Sequence, residues 1–209
     1  MAHMEFVGPF RLLDIACGNM RFEKYLLEAM PFVDFQATCV DSCDSLAVSV
    51  DGCVFRHGDI IEDLLELESP SRRWGRDFDA VVSFGFFHHV PSHEFRSHLL
   101  DSLVDTVVPG GVVAVSLWRF ASDDKMRKKA ELTTHEASSA LPLPPDLEKG
   151  DYLLGWNDVA GAYRYCHSFD GPEIEMLVES VASRAVLLDR FRADGRTGEM
   201  NEYLVFRRR

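Results

Sequence analysis

The chain has 209 residues, 46% of them hydrophobic, and a formal net charge of −12, so we expect one complete core and a single domain over residues 1–209. The negative charge argues against a protein that binds nucleic acid by its overall charge alone. No apolar run reaches membrane-spanning length, no secretory signal pattern is present and the five cysteines form no C-x-x-C pair, which predicts a cytoplasmic protein with reduced thiols and no membrane partner.

The chain begins with a predicted strand, tight turn and helix. An apolar run at 12–15 leads into a turn of small residues, and from 21 to 30 the apolar positions have helical spacing until Pro31. A strand, a turn and a helix in this order open a doubly wound α/β domain, whose ligand lies at the carboxyl ends of the strands.

The later segments continue to alternate between strand and helix. Further strands are predicted at 34–40, 52–56, 78–84, 112–118, 185–188 and 203–206. Further helices are predicted at 42–49, around 64–67, from the cap Ser92 through 107 to a stop at 109–111, and at 172–181 after a capping box of Asp170 and Glu173. A polar turn is predicted at 69–76 and a polar hairpin at 194–201. These elements predict a mostly parallel seven-stranded sheet whose final strand is antiparallel.

The turn after the first strand has the chemistry of a cofactor loop. It contains Gly18 but lacks the G-x-G-x-x-G glycines of a pyrophosphate site, and Asp14 would repel phosphate and favour a cationic group. Asp41 ends the next apolar run at roughly the twenty-residue offset where an acid takes the ribose hydroxyls of an adenosine. An adenosine ligand without pyrophosphate follows, for which S-adenosyl-L-methionine is the obvious candidate. The alternative is an ordinary strand-to-helix turn of another α/β protein.

With that ligand, these residues resemble the class I S-adenosylmethionine-dependent methyltransferases, which implies a Rossmann-like fold. The cofactor-binding residues that the resemblance implies are Asp14, Ala16, Gly18, Asp41, Ser42, Asp59, Ile60, Ser83 and Phe84. Ala16 and Met20 stand where the family loop has its first and third glycines. Alanine is a mild change if its φ is negative, whereas Met20 is expected to crowd the methionine part of the cofactor.

The segment 119–170 is too long for an ordinary connection and is predicted to be a substrate-side insertion or lid. Aromatic, arginine and histidine side chains gather at 150–156 and 163–169, as suits a substrate wall. The opposite wall is 83–90, whose paired histidines are either structural or catalytic.

These two walls are similar to the eukaryotic wobble-uridine tRNA methyltransferases, which esterify 5-carboxymethyluridine. The similar stretches are 17–19, 78–118, 151–156, 164–167 and 201–205. The chain differs from that family at Met20, at Gly155 in place of proline and at Cys166 in place of tyrosine. The resemblance implies a tRNA substrate and a small zinc-containing activator protein as partner.

The reaction that the resemblance implies is an in-line displacement by a carboxylate, which needs placement and no proton removal. The catalytic candidates are Arg164, His88, His89, Tyr165 and His167. Arg164 would hold the carboxylate with its planar fork, the paired histidines would donate hydrogen bonds, and Tyr165 and His167 would shape the pocket. Trp156 or Phe87 would offer a face to a planar base. Arg164 is alternatively a structural ion-pair partner, and no metal site is predicted.

Three functions stay open at this point. The first is methylation of a carboxymethylated tRNA uridine, with local charge from the basic runs 125–129 and 207–209 and therefore steep salt dependence. These runs are alternatively solvated surface. The second is methylation of a small carboxylic acid or other metabolite, which the acidic composition favours. The third is a methyltransferase-like partner protein that binds cofactor poorly because of Met20. Nothing in the sequence sets the oligomeric state.

Overall fold

A computed structural model of the chain describes residues 8–66, 68–140, 147–156 and 159–209. The strands in these ranges are β1 (Phe10–Ile15), β2 (Phe35–Asp41), β3 (Cys53–His57), β4 (Phe78–Ser83), β5 (Val107–Trp118), β6 (Asp151–Gly155), β7 (Tyr163–His167), β8 (Ala185–Ala193) and β9 (Asn201–Arg208). The α-helices are α1 (Arg21–Ala29), α2 (Ile60–Leu65), α3 (Pro70–Trp74), α4 (His93–Thr106), α5 (Asp124–Ala140) and α6 (Gly171–Ser180).

Seven of the strands form one sheet in the order β3-β2-β1-β4-β5-β9-β8. The pairs among β1 to β5 are parallel, and β9 lies antiparallel between β5 and β8. The predicted mostly parallel sheet with an antiparallel last strand is therefore confirmed. The strand order reverses between β1 and β4, and this reversal opens a crevice at their carboxyl ends, where ligands of such sheets bind.

The core is built from the continuous apolar strands and the apolar faces of the helices beside them. Helix α4 contributes Leu99, Leu100, Leu103 and Val104, all fully buried, and α6 contributes Ile174 and Leu177. Burying one such side chain stabilises the fold by about 1.5 to 3 kcal/mol relative to leaving it exposed. No described helix is long and apolar enough to cross a membrane.

The structure corrects the sequence prediction in two places before the central strand. The predicted helix at 42–49 is only a short 3₁₀ turn, Asp44–Leu46. The predicted polar turn at 69–76 contains α3, which starts at Pro70 and packs Trp74 against the core. Proline suits a first helical turn, because its missing N–H would have no partner there. Leu67, used to predict the helix at 64–67, lies outside the described residues.

Two predicted helix ends also differ. Helix α4 stops at Thr106, because Val107 already pairs with Phe78 as part of β5, so the proline-glycine stop lies inside a strand. The capping box at α6 is half formed. The Asp170 carboxylate accepts a hydrogen bond from the Glu173 N–H at 3.0 Å, but the Glu173 side chain turns towards other partners.

The turn after β1 has three residues in the left-handed backbone region. Ala16, Gly18 and Met20 have φ values of 64°, 54° and 54°. The expectation that alanine would avoid positive φ is therefore wrong. Met20 is 1% exposed and packs among apolar side chains of the sheet. It does not line the cofactor cavity described below, so the expected crowding is also wrong, and its cost is backbone strain.

Replacing Ala16 with Gly should raise the free energy of unfolding by about 0.5 to 1 kcal/mol. A non-glycine residue in the left-handed region destabilises the folded state by about 1 to 2 kcal/mol. Glycine relieves this strain, but its greater freedom in the unfolded chain offsets about 0.4 to 1 kcal/mol of the gain. Ala47 has a φ of −59°, so Ala47→Gly should destabilise the protein. Urea unfolding measures the change in the free energy of unfolding for both variants. A change of the same sign in both would refute the strain at Ala16.

Candidate functional site

A cavity of about 740 Å³ lies at the carboxyl ends of β1, β2 and β4. The predicted cofactor residues that line it are Asp14, Ala16, Gly18, Asp41, Ser42, Asp59, Ile60 and Phe84. Ser83, the remaining one, is fully buried behind the wall. The sequence did not point to Arg21 and Phe22 at the start of α1, which also line the cavity, because a helical apolar pattern does not show which side chains face a ligand.

Two aspartates of this cavity are held by backbone N–H groups. Asp41 Oδ2 accepts a hydrogen bond from the Gly18 N–H at 2.9 Å, and its Oδ1 accepts one from Cys43 at 2.9 Å. Asp59 caps α2, with Oδ1 accepting from Ile61 at 2.9 Å and from Glu62 at 3.2 Å. Each Asp41 oxygen keeps a lone pair, so a fixed acceptor pair is available to a ligand.

Asp14 forms a buried acid pair with Glu23 of α1. Glu23 is 0% exposed, and no hydrogen-bond donor of the described chain reaches either of its oxygens. Burial, followed by the nearby carboxyl group of Glu23, raises the pKa of Asp14 well above its ordinary value. Asp14 is therefore protonated more readily than an ordinary aspartate.

A second cavity of about 310 Å³ adjoins the first. Trp156 lines both cavities, and Arg164 and Lys129 line the second. The guanidinium carbon of Arg164 lies 4.8 Å from the centre of the Trp156 ring and 5.9 Å from that of Trp118. No described carboxylate forms an ion pair with Arg164, and its buried Nε has no hydrogen-bond partner among the described residues. The alternative of a structural ion pair thus has no partner within the described ranges.

The paired histidines lie between the two cavities and β7. His89 lines the first cavity, and its Nδ1 is 3.1 Å from the carbonyl oxygen of Tyr165. Burial, with smaller effects of His89 and Arg164, lowers the pKa of His88 to about 2. Burial and Arg164 also lower the pKa of His89. Both rings are therefore neutral at pH 7. Phe87 is fully buried in the core, so of the two predicted stacking residues it is the exposed Trp156 that lines a cavity.

Tyr165 and His167 do not line the first cavity or the second. His167 is buried, with Nδ1 2.6 Å from Asp151 Oδ1 and Nε2 2.5 Å from Glu173 Oε2. The Tyr165 hydroxyl donates to the same Asp151 oxygen at 2.6 Å. The two side chains act behind the pocket, where they tie β6 and β7 together.

Arg96 of α4 connects this hairpin to the body of the domain. Only 1% exposed, it donates from Nε to Glu173 at 2.9 Å and from a terminal nitrogen to Glu148 at 2.7 Å. Its other terminal nitrogen donates to the Tyr165 hydroxyl at 3.3 Å. Although burial alone would lower it, the hydrogen bonds to Asp151 and Glu173 raise the pKa of His167. His167 is thus a buried cation between two carboxylates.

The free energy of unfolding should fall as the pH rises above about 6.5, the ordinary pKa of histidine. His167 stabilises the fold fully below that value, and the contribution is lost as the pH rises through its raised folded-state pKa. His167→Gln removes this alkaline loss. It also removes the cation that Asp151 and Glu173 share, although Glu173 keeps Arg96, and this loss should cost about 3 to 5 kcal/mol at about pH 6. Urea unfolding at several pH values measures both effects.

Lys149→Ala is the control for this experiment, because the ion pair of Lys149 with Asp170 is exposed and contributes little. This variant should keep the alkaline slope of the unchanged chain. The assignment would be contradicted if the free energy of unfolding of the wild-type protein did not fall at alkaline pH. It would also be contradicted if His167→Gln lost stability with pH as steeply as the wild-type protein.

No protein-family model matches the chain. Over 158 residues, 75% of this chain, it is 26% identical to a Bos taurus protein described as a probable tRNA methyltransferase 9B. The chain spans 28% of the length of that relative.

Solved structures show the same architecture. A Methanosarcina mazei S-adenosylmethionine-dependent methyltransferase superposes with a TM-score of 0.65 at 16% identity, covering 97% of this chain and 94% of that one. The Bradyrhizobium japonicum N-methyltransferase NodS, solved with S-adenosyl-L-homocysteine, gives a TM-score of 0.54 at 13% identity, covering 95% and 77%. Together with the strand order, these likenesses show that the chain has the class I methyltransferase fold.

Proposed function

We propose that the chain is an S-adenosylmethionine-dependent methyltransferase that binds its cofactor in the cavity of about 740 Å³. The volume is in the range of small-molecule sites. Asp41 offers a lone pair on each fixed oxygen to the two ribose hydroxyls. No heavy atom lies within 4 Å of the place where a Cβ on Gly18 would stand, so the loop leaves room for a ligand against its backbone.

The charges around this cavity fit a cationic cofactor. Asp14, Asp41 and Asp59 line it, and Phe22 and Phe84 form an aromatic wall with ring centres 5.0 Å apart. When bound, the cofactor supplies an electrophilic methyl group. The residues of this chain hold it and exclude water from one side.

The observation that carries the proposal is the position of Arg164. It lines the second cavity at the wall that Trp156 shares with the cofactor cavity, and it has no carboxylate partner in the described chain. A planar guanidinium of this kind matches a carboxylate with two parallel hydrogen bonds. We therefore assign the second cavity to a carboxylate-bearing acceptor, with the β6–β7 part of segment 119–170 as the substrate-side wall or lid. The parts of that segment at 141–146 and 157–158 lie outside the described residues.

A carboxylate acceptor also suits the neutral histidines. Because a carbonyl oxygen only accepts, the contact of His89 Nδ1 with Tyr165 places the ring proton on Nδ1. His89 Nε2 is then an acceptor, and the predicted donor role of His89 requires its other tautomer. The chain's residues thus position the acceptor, which is already anionic and needs no base.

The finer proposal is a carboxymethylated uridine of tRNA as acceptor. It is supported by the bovine relative and by Lys129, which lines the second cavity. Lys125 and Lys128 are exposed on the same helix, α5. Arg127 is paired with acids of its own helix, so the lysines supply the local positive charge that contacts with phosphate need.

The second basic run, 207–209, does not share this surface. Arg207 pairs with Val112 near the start of β5. The run therefore lies towards the amino-terminal ends of the parallel strands, whereas the cofactor cavity lies at their carboxyl ends. Arg208 is moreover bonded to the Asp105 and Val107 carbonyls. The expectation that both runs serve one tRNA site is therefore not supported by their positions.

A small carboxylic acid is the second candidate acceptor, favoured by the net charge of −12. The third function, a partner protein with poor cofactor binding, loses its basis because Met20 packs in the core. We propose that the small zinc-containing activator implied by the resemblance adds a strand to an open edge of the sheet, a common mode of recognition. Both edge strands offer one, with Val54 exposed on β3 and Val186 exposed on β8.

The direct test incubates the chain with methyl-labelled cofactor and either total tRNA or a pool of small carboxylic acids, with and without the candidate activator protein. We expect label in tRNA that mild alkali releases, because esters hydrolyse and N-methyl groups do not. Alkali-labile label in the small acids would support the second candidate. Label that survives alkali, or no label in either pool, would refute the carboxylate proposal.

Asp41→Ala should weaken binding of S-adenosylmethionine about tenfold or more. A hydrogen bond to a charged group contributes about 1.5 to 3 kcal/mol, and about 1.4 kcal/mol is one decade of affinity. The variant also frees the Gly18 N–H from its partner. Calorimetry measures the affinity, with Asp44→Ala as control, since Asp44 pairs with the exposed His57. Equal affinities of the unchanged chain and Asp41→Ala would overturn the ribose assignment.

Arg164→Lys should reduce turnover about tenfold or more while leaving cofactor affinity unchanged, because lysine keeps the charge but loses one of two charged hydrogen bonds. Arg196→Lys, in the exposed loop before β9, is the matched control. If turnover survives Arg164→Lys but is lost in His89→Gln, and the pH profile shows a single base, the acceptor is a protonated hydroxyl or amine.

A further inference from the structure

Three side chains with metal-binding atoms meet beside the cofactor cavity. The ligand atoms of His88, His89 and Cys166 all lie within 4.8 Å of one another. The two histidines end the 3₁₀ turn Phe87–His89 after β4, and Cys166 lies on β7. Cys166 Sγ is 4.0 Å from His89 Nδ1. Two different elements of the fold thus bring these groups together.

The cluster contains a polar atom that lacks a partner. His88 is 8% exposed, and its buried Nδ1 has no hydrogen-bond partner among the described residues. Buried side-chain nitrogens in folded proteins nearly always have one, so each exception requires an explanation. Cys166 is fully buried as well, with its thiol directed towards His89. A ligand held between these groups would satisfy them.

We propose that His88, His89 and Cys166 bind one divalent transition-metal ion, with zinc as the ion that fits best. Imidazole nitrogen and thiolate sulfur are the ligands that zinc prefers. Zinc to nitrogen distances of about 2.0 Å and zinc to sulfur distances of about 2.3 Å place neighbouring ligand atoms roughly 3.4 to 3.7 Å apart in a tetrahedron. The ligand atoms, now up to 4.8 Å apart, therefore have to approach one another by about 1.4 Å at most, through rotation of the side chains.

Metal binding changes the hydrogen bonds around the cluster. An ion at His89 Nδ1 takes the place of the proton that this nitrogen donates to the Tyr165 carbonyl. An ion at Cys166 displaces the thiol proton, so binding releases protons to the solvent. The thiolate then offsets one of the two positive charges of the ion.

Of the three residues, His89 alone lines the cofactor cavity, so we place the open coordination position on that side. Three protein ligands and one open position are the arrangement of zinc sites that bind water or a substrate oxygen. The metal site itself does not depend on the proposed function. A net positive site next to Arg164 suits an anion, so we assign the open position to the acceptor carboxylate. This assignment rests on the proposed function.

The test is a titration of the chelator-treated full chain with Co²⁺, which reports thiolate ligation by a charge-transfer band in the near ultraviolet. We expect one ion per chain with this band, displaced by Zn²⁺. Cys166→Ser should lose the band and bind cobalt at least about tenfold more weakly, since even a supporting partner of a metal ligand contributes about 10- to 100-fold. Cys43→Ser, which changes an exposed thiol, should match the unchanged chain.

Measurements on the wild-type protein are sufficient to refute the proposal. X-ray absorption of its zinc-loaded form should show one sulfur and two imidazole ligands, and a shell without sulfur or an absence of tight binding would overturn it whether or not the variants fold. A cobalt band retained in Cys166→Ser would also overturn it, since the thiolate would then be another cysteine. None of these measurements uses methyl transfer, so their outcome is separate from that of the proposed function.

Discussion

The buried guanidinium of Arg96 is the interaction on which the geometry of the acceptor side depends. It joins α4 to Glu173 of α6 and, through the Tyr165 hydroxyl, to the hairpin of β6 and β7. Removing one member of a buried ion pair costs far more than removing an exposed one, so the hairpin is fixed from behind by charge. Trp156 and Arg164 lie at the other end of that hairpin, so the contacts of Arg96 help to hold them beside the cofactor cavity.

The cofactor side is organised by a single carboxylate instead. Asp41 joins the loop after β1 to the turn after β2 by accepting from Gly18 and Cys43. The loop must pass through the left-handed backbone region at three residues to present the Gly18 N–H, and glycine occupies only one of these places. The strain at the other two is offset by burial of Met20 in the core. The departure from a glycine-rich loop therefore affects stability more than the shape of the cavity.

The sequence predicted features that are local, namely apolar runs, caps and the acids that end parallel strands. Asp41 and Asp59 could be predicted because parallel strands bring their carboxyl ends to one edge. The bond between Arg96 and Glu173 joins residues 77 apart, and no periodicity reports such a pair. Glu23 is a charged residue in a helix that was predicted from its apolar positions, and nothing in that pattern shows that it is fully buried near Asp14. The direction of Met20 and the place of 207–209 depend in the same way on tertiary geometry.

Acidic side chains predominate on the cofactor side of Trp156 and basic ones on the other side, and this polarity matters for the proposed reaction. Asp14, Asp41 and Asp59 line the cofactor cavity together with Arg21, whereas Arg164 and Lys129 line the second cavity. Before the proposed transfer, the acids face the cationic sulfonium of the cofactor and Arg164 faces the anionic carboxylate of the acceptor. After the transfer, the sulfur and the methylated carboxyl group are both uncharged. These residues therefore bind the reactants more tightly than the products. Contacts that weaken as charge disappears do not favour the transition state over the reactants, so the chain would accelerate the reaction by holding two reactants in line and would release its products readily.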